Sequence, residues 1–371
     1  MDPRVNKVAE ILVNYSVAIK PGDLVMIHLY DPLAEPLALA VYEAVIKAGG
    51  NTVFNMAPTG ADVYTDQFLL QYGSDEQLDF THPVFKWMME NIDVRIALRA
   101  PSNTKALSNV DPNRLASFQR SLAPISETFM QRQGTGELRW TLTQFPTQAS
   151  AQDAEMSLSE YEDFIYGAAM VHLDDPVAYW RKKSEEQQRL IDWLKGSDRV
   201  EIRGENVDLT LSIKDRVFVN ADGKRNFPDG EIYTGPVEES VSGWVKYTYP
   251  AIRNAREVDG VELRFEDGKV VKATAKKGED FLNSVLDTDD GARFVGEFAI
   301  GTNEGIQQFT RNTLFDEKIG GTFHMALGAG YPNTGSKNKS AIHWDMICDM
   351  RSGGEIVVDG ELFYQNGIFK V

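Results

Sequence analysis

The sequence predicts an α/β N-terminal domain with a mostly parallel sheet, followed by a β-rich α+β C-terminal domain. Three observations carry this. The chain has 371 residues, more than one ordinary core accommodates. Apolar strand-like runs alternate with helix-favouring stretches over residues 1–195. Beyond that point the pattern changes to short alternating segments broken by glycine-rich turns.

In the first half, the continuous apolar run LVMIHL at 24–29 follows Pro21-Gly22-Asp23 and reads as a buried strand. Residues 36–48 favour a helix stopped by Gly49-Gly50, and TVFNM at 52–56 reads as the next strand. A crossover of that length favours parallel pairing. Further strands are expected at 94–99 and 138–144. Helices are expected at 79–92, with Pro83 in the first turn, and at 157–170. Asp111-Pro112 opens another at 111–130, and Asp175-Pro176 opens one that runs to Leu194 and stops at Gly196.

In the second half, 199–213 alternates about a turn at Gly204-Glu205-Asn206. Residues 261–265 and 269–275 flank Glu266-Asp267-Gly268 as a hairpin, and 280–286 is the clear helix. The expected domains are 1–197 and 198–371.

The composition, 42% hydrophobic and 25% charged, is that of a globular protein. No apolar run approaches the ~18–20 residues that span a bilayer. The start, Met1-Asp2-Pro3-Arg4, lacks the apolar core of a secretion signal, so a cytoplasmic protein is expected. The charge, 38 − 55 = −17, repels phosphate backbones. Neither nucleic acid nor an anionic membrane is expected as a partner. Cys348 stands alone, which excludes internal disulfides and cysteine-clustered metal sites. With five histidines in the chain, any metal site must lean on carboxylates.

The groups that carry chemistry lie in the second half. In AIHWDMICDM (341–350), strand alternation puts His343, Asp345 and Asp349 on one face and Ile342, Trp344, Met346 and Cys348 on the other. An imidazole and a carboxylate two residues apart can aim at one cation. In TFHMAL (322–327), His324 faces away from Phe323, Met325 and Leu327, with the small residues Ala326 and Gly328 beside it. RFVGEFAI (293–300) puts Phe294, Phe298 and Ile300 on one face and Val295, Glu297 and Ala299 on the other. A glutamate in so apolar a strand needs a cation or hydrogen bonds to offset its burial. Glu231 opens a short strand between Pro228-Asp229-Gly230 and Gly235-Pro236. Two metal ions about 3.5–4 Å apart would use such a set. Any one of these groups, taken alone, is more often a solvated, salt-bridged or core side chain; it is their concentration within residues 231–345, each in apolar surroundings, that points to a metal site.

The blocks PDGEIYTGP, GEFAIGTN, NTLFDEKIGG, FHMALGAGYP and SAIHWDMICDM, in this order, resemble the aminopeptidase T / aminopeptidase S family of metallopeptidases. The resemblance implies an α/β non-catalytic first domain and a catalytic second domain holding two divalent ions, Zn or Co. It implies release of N-terminal residues from peptides by attack of a hydroxide bridging the metals. Carried over by motif, the ligands are Glu231, Glu297, Glu317, His324, His343 and Asp345, with Glu297 bridging. Tyr331 matches the family's active-site tyrosine, a hydrogen-bond donor for the tetrahedral oxyanion. Glu231 and Glu297 are both candidates for the proton shuttle to the leaving amine. The family pattern further implies a homodimer and peptide substrates with a free N-terminus. Asp349, Glu304 and Asp316 are spare carboxylates that could receive the substrate's α-amino group, or simply surface charges.

Two other classes fit parts of the pattern. A mononuclear oxygenase with two histidines and one carboxylate would use His343-x-Asp345, but no histidine follows it. A two-domain small-molecule binding protein would explain the architecture and not the concentration of histidine and carboxylate. His28, His82 and His172 read as structural, although His28 ends a strand where α/β sheets bind ligands.

Overall fold

A computed structural model describes residues 2–56, 61–253 and 256–371. The chain forms two compact units, Met1–Trp180 with Gly223–Pro228, and Arg181–Asp222 with Asp229–Val371.

The first unit holds a five-stranded parallel sheet in the order Asn51–Met56, Leu24–Leu29, Val94–Arg99, Arg139–Gln144 and Asn226–Phe227. The expected first crossover is the helix Glu35–Lys47. Its end closes as the glycines predict: Gly49, at φ +86°, and Gly50 donate back to Ile46 and Val45. Two expected helices are shorter or divided. The one at 79–92 spans only Pro83–Asn91, because His82, preceding a proline, is held extended. The one at 111–130 is Pro112–Ser121 followed by Ala123–Gly134, broken where Pro124 cannot donate to the preceding turn. A helix at Pro3–Ile11, capped by the Asp2 side chain, was not anticipated.

The second unit stacks two antiparallel sheets. One has eight strands, in the order Lys269–Thr274, Glu262–Glu266, Ser242–Lys246, Val207–Ser212, Arg199–Gly204, Glu355–Val358, Glu361–Gln365 and Ile368–Phe369. The other has five: His343–Asp349, Thr322–Gly328, Val295–Gly301, Glu231–Thr234 and Val219–Ala221. Ile202, Leu209 and Leu263 from the first share a core with Phe298, Phe323, Met325, Trp344 and Met346 from the second. That core takes one face of the five-stranded sheet and leaves the other for function.

The sequence placed the domain boundary near 197, whereas the compact units part at Trp180/Arg181, within the helix Pro176–Leu194. Trp180 is buried against Phe227, ring centroids 5.3 Å apart, and Leu194 belongs to the second unit's core. Among the described residues no helix is long and apolar enough to cross a membrane.

Candidate metal centre

The face of the five-stranded sheet away from the core is built by alternation and register. Ala326 pairs with Glu297 on one side and Asp345 on the other, so one methyl separates two carboxylates. His324 pairs with Ala299, Gly328 with His343, and Gly301 with Glu231. Small residues alternate with ligand-type residues across the rungs, which leaves room for the long side chains to converge above them.

One facing expectation was wrong. Val295 lies in the core with Phe298 and Ile300, not beside Glu297. The register shifts between Val295 and Glu297, and this bulge at Gly296 reverses the phase of alternation. A Cβ on Gly296 would meet the carbonyl oxygens of Gly328 and Ala329 at 2.4 Å, so only glycine fits the bulge.

The structure brings together the side chains of Glu231, Glu297, Glu317, His324, His343 and Asp345. Their donor atoms form overlapping groups: Glu231, Glu297 and His324; Glu297, His343 and Asp345; Glu317, His324 and Asp345. Glu297 joins the first two groups, with Oε1 3.8 Å from His324 Nε2 and Oε2 3.2 Å from His343 Nε2. Glu231 Oε2 lies 3.4 Å from His324 Nε2, and Asp345 Oδ1 lies 3.4 Å from His343 Nε2. His343 Nδ1 donates to the carbonyl of Ala329 at 2.8 Å, which leaves Nε2 as the nitrogen for a cation. Glu317 comes from the end of the short helix Thr313–Asp316 rather than from a strand.

The donor set fits a metal. Glu231 Oε2, Asp345 Oδ1 and both ring nitrogens of His324 are buried without a hydrogen-bond partner, an arrangement that is costly unless a cation accepts them. Carboxylate and imidazole are the ligand types of Zn, Co and Mn.

Burial and charge crowding strain the ionisations. Burial, together with Glu317 and Glu297, pushes the Glu231 carboxyl up to about 8 against the opposing pull of Lys318. Burial acts to lower His343 and His324, but Asp345 and Glu297 raise the former to about 11, and Glu297 and Glu231 raise the latter to about 9. Asp345 goes the other way: burial is outweighed by His343, which holds it at about 2. The carboxylates therefore keep protons on the imidazoles, and an entering divalent cation must displace them.

Lys318 was missed by sequence reasoning. It is fully buried, yet its ammonium touches three carboxylates: Glu231 Oε1 at 2.6 Å, Asp229 Oδ1 at 3.6 Å, and Glu317. The only signal was its place beside Glu317. Gln187 was also missed; its amide donates to the carbonyls of Glu231 and Ala221 and accepts from Thr302 Oγ1. The Tyr331 ring lies 5.2 Å from that of His343 and 5.4 Å from that of Tyr233. Its residue is 41% exposed, at the rim of the cluster.

The spare carboxylates do not join. Asp349 is clasped by Arg351 and Tyr249, Asp316 accepts from the backbone and hydroxyl of Thr310, and Glu304 sits 3.7 Å from Lys183.

A β-sheet face that gathers imidazoles and carboxylates, several of their donor atoms buried and unsatisfied, defines a candidate metalloprotein. The family model for thermophilic metalloproteases (M29) matches residues 1–369, and the chain belongs to that family. Among its relatives is Aminopeptidase 2 of Geobacillus stearothermophilus, 28% identical over 366 residues, covering 89% of this chain and 84% of the relative. The structure of wild-type AmpT from Thermus thermophilus superposes with a TM-score of 0.84 at 22% identity, covering 100% and 99% of the two chains. A 2,5-dihydroxypyridine dioxygenase from Pseudomonas putida shares the fold, with a TM-score of 0.60 at 13% identity and coverage of 100% and 97%. The fold thus occurs with more than one chemistry, and the site must decide between them.

Proposed function

We propose that the protein is a metal-dependent aminopeptidase that releases N-terminal residues from peptides, using two divalent ions, Zn or Co. The observation that carries this is Glu297, whose two oxygens reach two different histidines. A single ion needs no such bridge. The ions, when bound, lower the pKa of water and polarise the scissile carbonyl.

The chain's own residues do the rest. Glu231, Glu317 and His324 would hold one side of the centre, and His343 and Asp345 the other. The Ala329 carbonyl orients the His343 ring. Glu231 or Glu297 carries the proton to the leaving amine; burial moves the Glu231 carboxyl toward neutrality, which suits it to the task, whereas burial of Glu297 is outweighed by His324 and His343, which hold it below its ordinary value. Tyr331 donates a hydrogen bond to the oxyanion, worth on the order of 3 kcal/mol when preorganised. The reading extends to a homodimer acting in the cytoplasm on peptides with a free amino terminus.

The test is hydrolysis of a leucine aryl-amide by purified protein, before chelation, after chelation, and after Zn or Co is restored. Activity that disappears and returns supports the reading. No hydrolysis with either metal, or oxygen uptake in its place, sinks it.

A further inference from the structure

In the first unit the strand Leu24–Leu29 lies beside Val94–Arg99, although Asn51–Met56 comes between them in sequence. The chain leaves the former for the helix Glu35–Lys47, which packs on Pro3–Ile11. It leaves the latter for Pro112–Ser121 and Ala123–Gly134, and the second of these packs on Pro83–Asn91. Adjacent parallel strands whose connections part in this way form, at their carboxyl ends, the crevice where open α/β sheets bind ligands.

His28, Tyr30, Arg95 and Arg99 gather there. Arg95 Nη2 donates to the Tyr30 hydroxyl at 2.7 Å and to His28 Nδ1 at 3.3 Å. The His28 and Tyr30 rings stack with centroids 4.2 Å apart, and the Arg99 guanidinium carbon lies 5.9 Å from the Tyr30 ring. Arg95, Ala97 and Arg99 alternate onto one face, so only a methyl stands between the two long stems. Because Nδ1 accepts from Arg95, the neutral His28 ring carries its proton on Nε2. Burial, with Arg95 nearby, keeps the ring neutral.

The charges are unusual in their isolation. Among the described residues neither Arg95 nor Arg99 has a carboxylate within 4.0 Å, in a chain with 55 acidic residues. Arg95 Nε is buried with no hydrogen-bond partner. None of these residues takes part in the proposed hydrolysis.

We propose that this crevice binds an oxyanion, the carboxylate or phosphate of a small molecule, between the guanidinium groups of Arg95 and Arg99. The Nε2–H of His28 and the hydroxyl of Tyr30 are the further donors. Guanidinium groups suit planar oxyanions because they present paired N–H donors, and an anion between two of them relieves their mutual repulsion.

Isothermal titration calorimetry of the purified full chain tests this, with inorganic phosphate and, separately, L-leucine as the carboxylate probe. At least one of them is expected to bind once per chain. Arg99→Met, at an exposed side chain, is expected to weaken that binding about tenfold or more. His343→Ala is expected to leave it unchanged. The probe that binds more tightly identifies the source of the oxyanion. Binding that Arg99→Met leaves intact overturns the proposal, as does binding lost in His343→Ala, which belongs to the metal centre. So does a failure of both probes to bind at about 10 mM.

Discussion

His343 and Ala329 are joined through Nδ1 and a carbonyl oxygen at 2.8 Å, and this contact turns the other ring nitrogen toward Glu297 and Asp345. A backbone acceptor cannot rotate away as a side chain can, so the ring's direction is set before any cation arrives, and Nδ1 is the nitrogen that keeps its proton when Nε2 gives its own up.

Removing that ring is the first prediction. His343→Ala should lower metal stoichiometry and abolish turnover while leaving the fold largely intact, because the ring is partly exposed at the edge of the site. Elemental analysis with circular dichroism checks both halves. Full metal content with full activity would contradict the assignment.

Lys318→Met should cost stability, not only activity. The substitution leaves Glu231, Glu317 and Asp229 without the ammonium they share in a fully buried setting. Loss of one partner from such a cluster costs about 3–5 kcal/mol. Urea unfolding of the two proteins measures the difference, and a change below about 1 kcal/mol would remove Lys318 from the account.

Gly296→Ala should damage the site through the backbone that carries Glu297. The added methyl would lie 2.4 Å from two carbonyl oxygens, so the bulge that separates the facing of Val295 from that of Glu297 cannot persist unchanged. Weaker metal binding together with a lower melting temperature is expected. An unaltered protein would show that the bulge does not aim Glu297.

Acid should destabilise the fold in part through His28. Burial, and then Arg95, depress its pKa from 6.5 to about 3. Below about pH 6.5 the unfolded chain therefore takes up a proton that the folded one refuses, and stability falls as pH drops toward 3, by at most about 1.4 kcal/mol per unit. Denaturant midpoints between pH 7 and 5, compared with those of His28→Gln, check this. The variant should show the flatter profile.

What could be read from the sequence followed from local rules. Period-two alternation identified the strands of Glu297, His324, His343 and Asp345, because each also carries a core-facing row. Asp-Pro pairs opened helices at Asp111 and Asp175, and the same pair at Asp2 opens Pro3–Ile11, a signature that was present and passed over. Glu317 has no periodicity to announce it; it ends a short helix, and only the resemblance of its motif marked it.

The sequence by itself determined the two fold classes, the family, and the residue types able to hold a cation. Only the tertiary structure decided which of them meet. Asp349 shares a strand face with Asp345 yet turns to Arg351, while Lys318, which no pattern singled out, reaches its neighbour Glu317 and, far away in the chain, Asp229 and Glu231. The reason is physical. Alternation says which side of a strand a residue occupies, but register, bulges and buried charge balance depend on partners far away in the chain.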